Sequence, residues 1–205
     1  GMAVSERLKN QVRGLNQAAR NAQDGISMIQ TAEGAMSEAH TILARMRELA
    51  IQASNDTVTA SDRANLQVEF SALYSEIDRI ATSTQFNGTA ILTGGSTSLT
   101  LQIGANSGDT ISVNVTPSSG FQPTRLEASF VGAGASITLQ SVASATITVL
   151  DSAVNAVSTA RASLGAMQSR LESAGRSIAV ASENAAAANS RIADADIAGS
   201  MSELV

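Results

Sequence analysis

Residues 150–195 read LDSAVNAVSTARASLGAMQSRLESAGRSIAVASENAAAANSRIADA, and their apolar residues keep a seven-residue beat. Leu150, Val157, Leu164, Leu171, Ile178, Ala185 and Ile192 hold one position of the repeat, and Ala153, Ala160, Met167, Ala174, Ala181, Ala188 and Ala195 hold the position three residues on. Residues three and four apart share one face of an α-helix, so this a/d pattern draws an apolar seam along one long helix. The stretch contains no proline. It predicts a C-terminal helix over 146–200 that must bury its seam on a partner.

The partner stands at the other end of the chain. Leu8, Leu15, Ala22, Ile29, Met36, Leu43 and Ala50 recur at the same interval, with Ala18, Ala32, Ala39, Met46 and Ala53 offset by three. Gln11 and Gly25 interrupt the second series. Alanine and glycine at these positions permit close helix approach. Ser54-Asn55-Asp56-Thr57 then ends the helix with residues whose side chains compete for backbone hydrogen bonds. Ser61 reads as the N-cap of a second helix, in which Leu66, Phe70, Leu73, Ile77 and Ile80 follow a 4-3-4-3 spacing. Residues 1–82 are therefore read as two helices.

Between residues 84 and 145 the composition changes. Asp109, Arg125 and Glu127 are the only charges from 81 to 150, and both prolines, Pro117 and Pro123, fall here. Leu99-Thr100-Leu101-Gln102-Ile103 and Ile111-Ser112-Val113-Asn114-Val115 alternate apolar and polar residues around a Gly104-to-Asp109 turn, the pattern of a β-hairpin. Ile137–Leu139 is read as a further short strand, and 116–134 as irregular. The predicted architecture is mainly α with a small β part. It is an elongated rod of long antiparallel helices, two N-terminal and one C-terminal, with a β-hairpin region, all in a single domain over 1–205.

Composition narrows the function. The 205 residues include 36 alanines but only 2% aromatics, so a core must form along extended contact lines. There is no cysteine, which removes disulfides, thiolate metal sites and cysteine nucleophiles. A net charge of −5 with almost no aromatic platform argues against nucleic acid and anionic membrane surfaces. No stretch is apolar enough to insert in a membrane, and no cleavable signal opens the chain.

The sequence offers no reactive constellation. Gly94-Gly95-Ser96 and Gly132-Ala133-Gly134 lack a phosphate-loop lysine or a dinucleotide fingerprint and read as turns. His40, the sole histidine, is read as a solvated or rim-packed side chain. Asp194 and Asp196 are two apart on a helix and point to different faces. Asn55-Asp56-Thr57, Asn87-Gly88-Thr89 and Asn114-Val115-Thr116 match the N-glycosylation triplet, a pattern frequent by chance. The chain is read as no enzyme, with no catalytic, cofactor-binding or metal-binding residues.

Recognition by shape remains, and particular strings resemble one family. Ala44-Arg45-Met46-Arg47-Glu48-Leu49-Ala50-Ile51-Gln52-Ala53-Ser54-Asn55 resembles the first long helix of bacterial flagellins. Glu76-Ile77-Asp78-Arg79-Ile80 followed by Thr84-Gln85-Phe86-Asn87-Gly88 is similar to the end of the family's second helix and its exit loop. Leu101-Gln102-Ile103-Gly104-Ala105-Asn106 resembles the hairpin that follows, while Ala162–Glu172 and Ser190–Asp196 resemble the C-terminal helix. Asn16–Ser27 fits as well.

The resemblance implies a subunit of the bacterial flagellar filament, secreted through a dedicated channel into the extracellular space. It implies motility by self-assembly, with other flagellin subunits, an export chaperone and the filament cap as partners. Large outer domains would be absent, since only residues 116–145 stand where many family members insert them. The family's terminal helices are also expected to be missing, which makes the chain a core fragment. By motif match, Arg45, Leu49, Gln52 and Glu69 become the contact residues for the flagellin-sensing Toll-like receptor of vertebrates. Two other readings stay open: a hook–filament junction protein of the same architecture, and a surface adhesin or glycan-binding protein of flagellin-like fold. For the latter, the middle segment offers little stacking surface beyond Phe121 and Phe130.

Overall fold

A computed structural model of the chain describes residues 1–92, 98–114 and 136–204. In chain order the elements are α1 (Met2–Ala53), α2 (Ala60–Ser83), β1 (Gln85–Phe86), β2 (Thr89–Ala90), β3 (Ser98–Gln102), β4 (Thr110–Asn114) and α3 (Gln140–Leu204). The described chain is mainly α, with two two-stranded sheets, β1-β2 and β3-β4. The glycine runs at 94–96 and 132–134, Val115, Phe121 and Phe130 lie outside the described residues.

Helix boundaries follow local hydrogen bonding. α1 ends where the Ser54 hydroxyl donates to the Ile51 carbonyl at 2.7 Å and Asn55 Oδ1 accepts the Thr57 N–H at 3.1 Å. α2 is capped by Thr59, not by Ser61 as the sequence suggested. The Thr59 hydroxyl accepts the Asp62 N–H at 3.1 Å, and the Asp62 carboxylate accepts the Thr59 N–H at 3.2 Å. A capping box needs an acid or amide three residues after the cap. Thr59 has Asp62 there, whereas Ser61 has Ala64.

α3 begins at Gln140, six residues before the expected start. The β-branched residues 146–149 are helical, and the buried Thr146, 1% exposed, satisfies its hydroxyl by turning it back to the Val142 carbonyl at 2.8 Å. Ile137–Leu139 forms no strand. The buried Ile137 gives its backbone N–H to Gln67 Oε1 at 2.7 Å, so the donor a sheet would use is taken by a side chain. β1 and β2 pair antiparallel, with Gln85 opposite Ala90 and Phe86 opposite Thr89. Asn87 and Gly88 turn the chain between them with φ of 51° and 77°, the left-handed pair that a tight hairpin requires.

Contacts divide the chain into two compact units. The first comprises Gly1–Ser27, Leu99–Val113 and Ala166–Val205. Here Leu15 and Ala18 of α1 bury against Ile178 and Ala185 of α3, with Leu8, Val12, Ala19 and Ile103 packed around them. Asn21 Nδ2 donates to the Gln102 carbonyl at 2.8 Å, tying β3 to α1, and the Ser5 hydroxyl donates to Asn189 Oδ1 at 2.6 Å. Gly25 is buried where Leu101 and Leu171 close in on α1, so that a Cβ there would overlap Leu101 Cδ1 and approach Leu171 Cδ1 to 2.9 Å. Two helices bury chiefly one column of the α3 repeat. Leu171, Ile178 and Ala185 are buried, but Ile192 is half-buried and Ala181 and Ala195 are exposed, against the expectation of a full second column.

The second unit comprises Met28–Ser98 and Asn114–Gly165. Three helices meet here, so more than one column is covered. α1 contributes Ile29, Met36, Leu43, Met46 and Ala50, α2 contributes Phe70, Ile77 and Ala81, and α3 contributes Leu150, Ala153, Val157 and Leu164, all buried. Ion pairs edge the contact between α1 and α3: Arg47 Nε donates to Asp151 Oδ1 at 2.6 Å, and Arg161 Nε to Glu33 Oε1 at 2.7 Å.

Candidate functional site

The four residues singled out in the sequence lie on α1 and α2 of the second unit. Arg45 meets Glu69 across the two helices as a bidentate pair, Nε to Oε1 at 2.7 Å and Nη2 to Oε2 at 3.0 Å. A planar guanidinium matches a carboxylate in this fork geometry, which fixes both side chains. Arg45 Nη1 also donates to Glu48 Oε2 at 3.1 Å, one turn along α1. The Arg45 and Glu69 side chains remain 47% and 44% exposed. The Arg45 hydrogen bond holds the Glu69 carboxyl below its ordinary range, and the same bond to Glu69, then that to Glu48, raises the Arg45 guanidinium.

Gln52 is exposed on α1, but Leu49 is not. Leu49 is 0% exposed, whereas a direct contact residue, as the motif match would have it, needs an accessible side chain. The reason is geometric. With α2 and α3 both packed on α1, the buried arc extends past the Leu43/Met46/Ala50 seam and takes in the neighbouring column, which holds Met28 and Leu49. The arrangement brings Arg45, Glu69 and Gln52 to the surface and leaves Leu49 as their support. Glu48 was missed by motif matching, although its i+3 spacing from Arg45 is a readable signal for a helical ion pair.

The surface offers paired charges and hydrogen-bonding groups, a chemistry suited to recognition. Among the described residues no group of three His, Asp or Glu could hold a metal ion, and no helix is long and apolar enough to cross a membrane. Asp194 and Asp196 are both exposed, and Asp194 accepts from the Ser190 hydroxyl at 3.5 Å.

Residues 1–97 match the family model of the bacterial flagellin N-terminal helical region, and residues 147–205 that of the C-terminal helical region. The chain is 46% identical over 206 residues to a flagellin of Halalkalibacterium halodurans, a match spanning 99% of this chain and 73% of that protein. Among solved structures it is similar to Bacillus cereus flagellin, with a TM-score of 0.67 and 32% identity over 78% of this chain and 88% of that one. A putative flagellar hook-associated protein of Vibrio parahaemolyticus shares the fold, with a TM-score of 0.74 but 13% identity, over 91% and 95% of the two chains.

Proposed function

Because the chain belongs to the bacterial flagellin family, and is a structural subunit of the flagellar filament that assembles with other flagellin subunits, we propose that it works outside the cell as a secreted protein. The observation that carries this reading is the 46% identity to a flagellin along nearly the whole chain, joined to the paired α1 and α3 ladders. The chain acts as a single core domain without large outer domains. An export chaperone and the filament cap complete its bacterial partners, by resemblance to the family.

The Arg45–Glu69 surface is a contact for the vertebrate flagellin-sensing receptor. Arg45, Gln52 and Glu69 touch the receptor, while Leu49 holds the α1 backbone beneath them. The exposure of the bidentate pair supports this role.

Immunogold labelling of the native bacterium tests the reading. Label along the full length of extracellular filaments, lost with swimming when the gene is deleted, is the expected result. Label confined to the hook–filament joint would instead mark a junction protein, and label spread over the cell envelope an adhesin.

A further inference from the structure

The apolar seam between α1 and α3 does not choose its own alignment. In the second unit it draws on Ile29, Met36, Leu43 and Ala50 of α1 and on Leu150, Val157 and Leu164 of α3, all buried. Each series repeats every seven residues. Sliding α3 by one heptad, about 10 Å of helix, therefore sets apolar side chains against α1 once more.

The side chains that tell one alignment from another are charged. Arg161 of α3 reaches Glu33 of α1 through Nε and Nη2, both 2.7 Å from Oε1. Its Nη1 also donates to His40 Nδ1 at 2.6 Å, and His40 Nε2 lies 3.1 Å from the Ser158 hydroxyl. Arg47 Nε donates to Asp151 Oδ1 at 2.6 Å. Glu33, His40 and Arg47 stand seven residues apart on α1, so these contacts follow one edge of the seam. Glu33 Oε2 is shielded from solvent and accepts no hydrogen bond among the described residues, which leaves Arg161 to compensate this carboxylate. A shielded charge that loses its partner keeps its desolvation cost without the attraction that offset it.

A slip removes both ion pairs in either direction. Seven residues to either side of Arg161 stand Val154 and Gln168, and to either side of Asp151 stand Ser144 and Ser158. No arginine then returns to Glu33, and no carboxylate returns to Arg47. In the first unit the polar contact is neutral and more permissive. The Ser5 hydroxyl donates to Asn189 Oδ1, and the residues seven to either side of Asn189, Ser182 and Asp196, can also accept.

We propose that the Glu33–Arg161 and Arg47–Asp151 pairs form a register lock, selecting one alignment of α3 on α1 among several that the apolar seam accepts. Polar residues set register in the same way in coiled coils, whose apolar repeats are equally degenerate. A filament subunit needs such a device, because a regular assembly presents the same surface in every copy.

The chain has no cysteine, so cysteines placed at the exposed Ala44 and Ser163 carry nitroxide labels at those two sites alone. Pulsed dipolar spectroscopy of the full chain then reads the separation of α1 and α3, and the otherwise unaltered protein should give one narrow distance. In Glu33→Gln/Arg47→Gln a second distance, displaced by up to about 10 Å, should appear. A transplant of the partners by one heptad is the stronger test. Ser144→Asp, Asp151→Ser, Val154→Arg and Arg161→Val together match Glu33 and Arg47 only when α3 has slipped, so the displaced distance should dominate. Circular dichroism verifies that each variant keeps its helix content. The original distance alone in the transplant overturns the proposal and assigns the register to the seam or to the Gln67–Ile137 bond before α3. The original distance alone in a fully helical Glu33→Gln/Arg47→Gln protein overturns it as well.

Discussion

Arg63, in the first turn of α2, donates its Nε–H to the carbonyl of Ala53, the last residue of α1, at 2.6 Å. Its Nη2 donates to the Asn55 carbonyl at 2.9 Å. The last carbonyls of a helix have no intrahelical partner, and a cation there also opposes the negative end of the helix dipole. One side chain of α2 thus closes the end of α1, while the Thr59–Asp62 capping box fixes where α2 starts. Arg63→Ala should destabilise by about 1–2 kcal/mol, the range for hydrogen bonds to a charged group. Urea unfolding of parent and variant measures this, and Arg63→Lys should recover only part because one ammonium cannot reproduce the fork.

Two helical glycines of α1 should respond differently to a methyl group. Nothing lies within 4 Å of a Cβ built at the exposed Gly34, so Gly34→Ala should stabilise by about 0.5–1 kcal/mol through helix propensity alone. At Gly25 the added methyl meets the ends of Leu101 and Leu171. Flexible leucine termini can yield to one carbon, which leaves Gly25→Ala near neutral. Gly25→Val adds branches that cannot be accommodated and should cost about 1–3 kcal/mol. Thermal melts of the three variants give the ordering.

Leu164 and Leu171, successive members of the repeat, are 1% and 0% exposed and fall in different compact units. Truncating either to alanine should cost about 2–5 kcal/mol, since transfer and cavity contributions add in a well-packed core. Hydrogen exchange on each variant should show loss of protection that begins in the unit holding the truncated residue. Melts that match the parent would contradict the seam.

The long elements were legible because heptad spacing is a strong signal over many turns. The a column of α3 is buried from Leu150 to Ala185, as the repeat predicts. The d column is buried only in part. Alanine at Ala181 and Ala195 fits a seam but does not require one, and two helices leave those positions open. Taken alone, the serine at 61 is as good a cap residue as Thr59, and the Asp62 partner decides between them. At the site, Arg45 and Glu69 come from the motif match, but their mutual pairing depends on how α2 packs on α1. No spacing within one helix carries that. The burial of Leu49 has the same origin, since a third helix widens the buried arc.

Acid should weaken the surface pairs in a defined direction. Glu69 and Glu76 are held below the ordinary 4.5 by their hydrogen bonds to Arg45 and Arg79. Their contribution is complete above the unfolded value and is lost as pH falls through the lower folded value. The parent should therefore lose stability faster than Arg45→Ala between about pH 5 and pH 3. Both carboxylates are solvent-exposed, so the difference should be small and shrink with added salt. Urea midpoints across that range, at low and high salt, check both statements.

The receptor surface separates contact residues from support. If Arg45 anchors the vertebrate receptor, Arg45→Ala should weaken binding at least tenfold, about 1.4 kcal/mol. Arginine often dominates a desolvated contact, and its fork can move from Glu69 to a receptor carboxylate. Glu69→Gln should then weaken binding less, because it frees Arg45 while removing one acceptor. Leu49 belongs to a different class. Buried at 0% exposure, it should destabilise the fold by about 2–5 kcal/mol when cut to alanine, and should weaken receptor binding only as far as the α1–α2 surface loosens. Surface plasmon resonance with the receptor ectodomain, run beside a thermal melt of each variant, distinguishes the two. Loss of binding in Arg45→Ala with only a slightly lowered melt, and a strongly lowered melt in Leu49→Ala, is the expected pattern. Unchanged affinity in Arg45→Ala would remove this surface from the receptor contact.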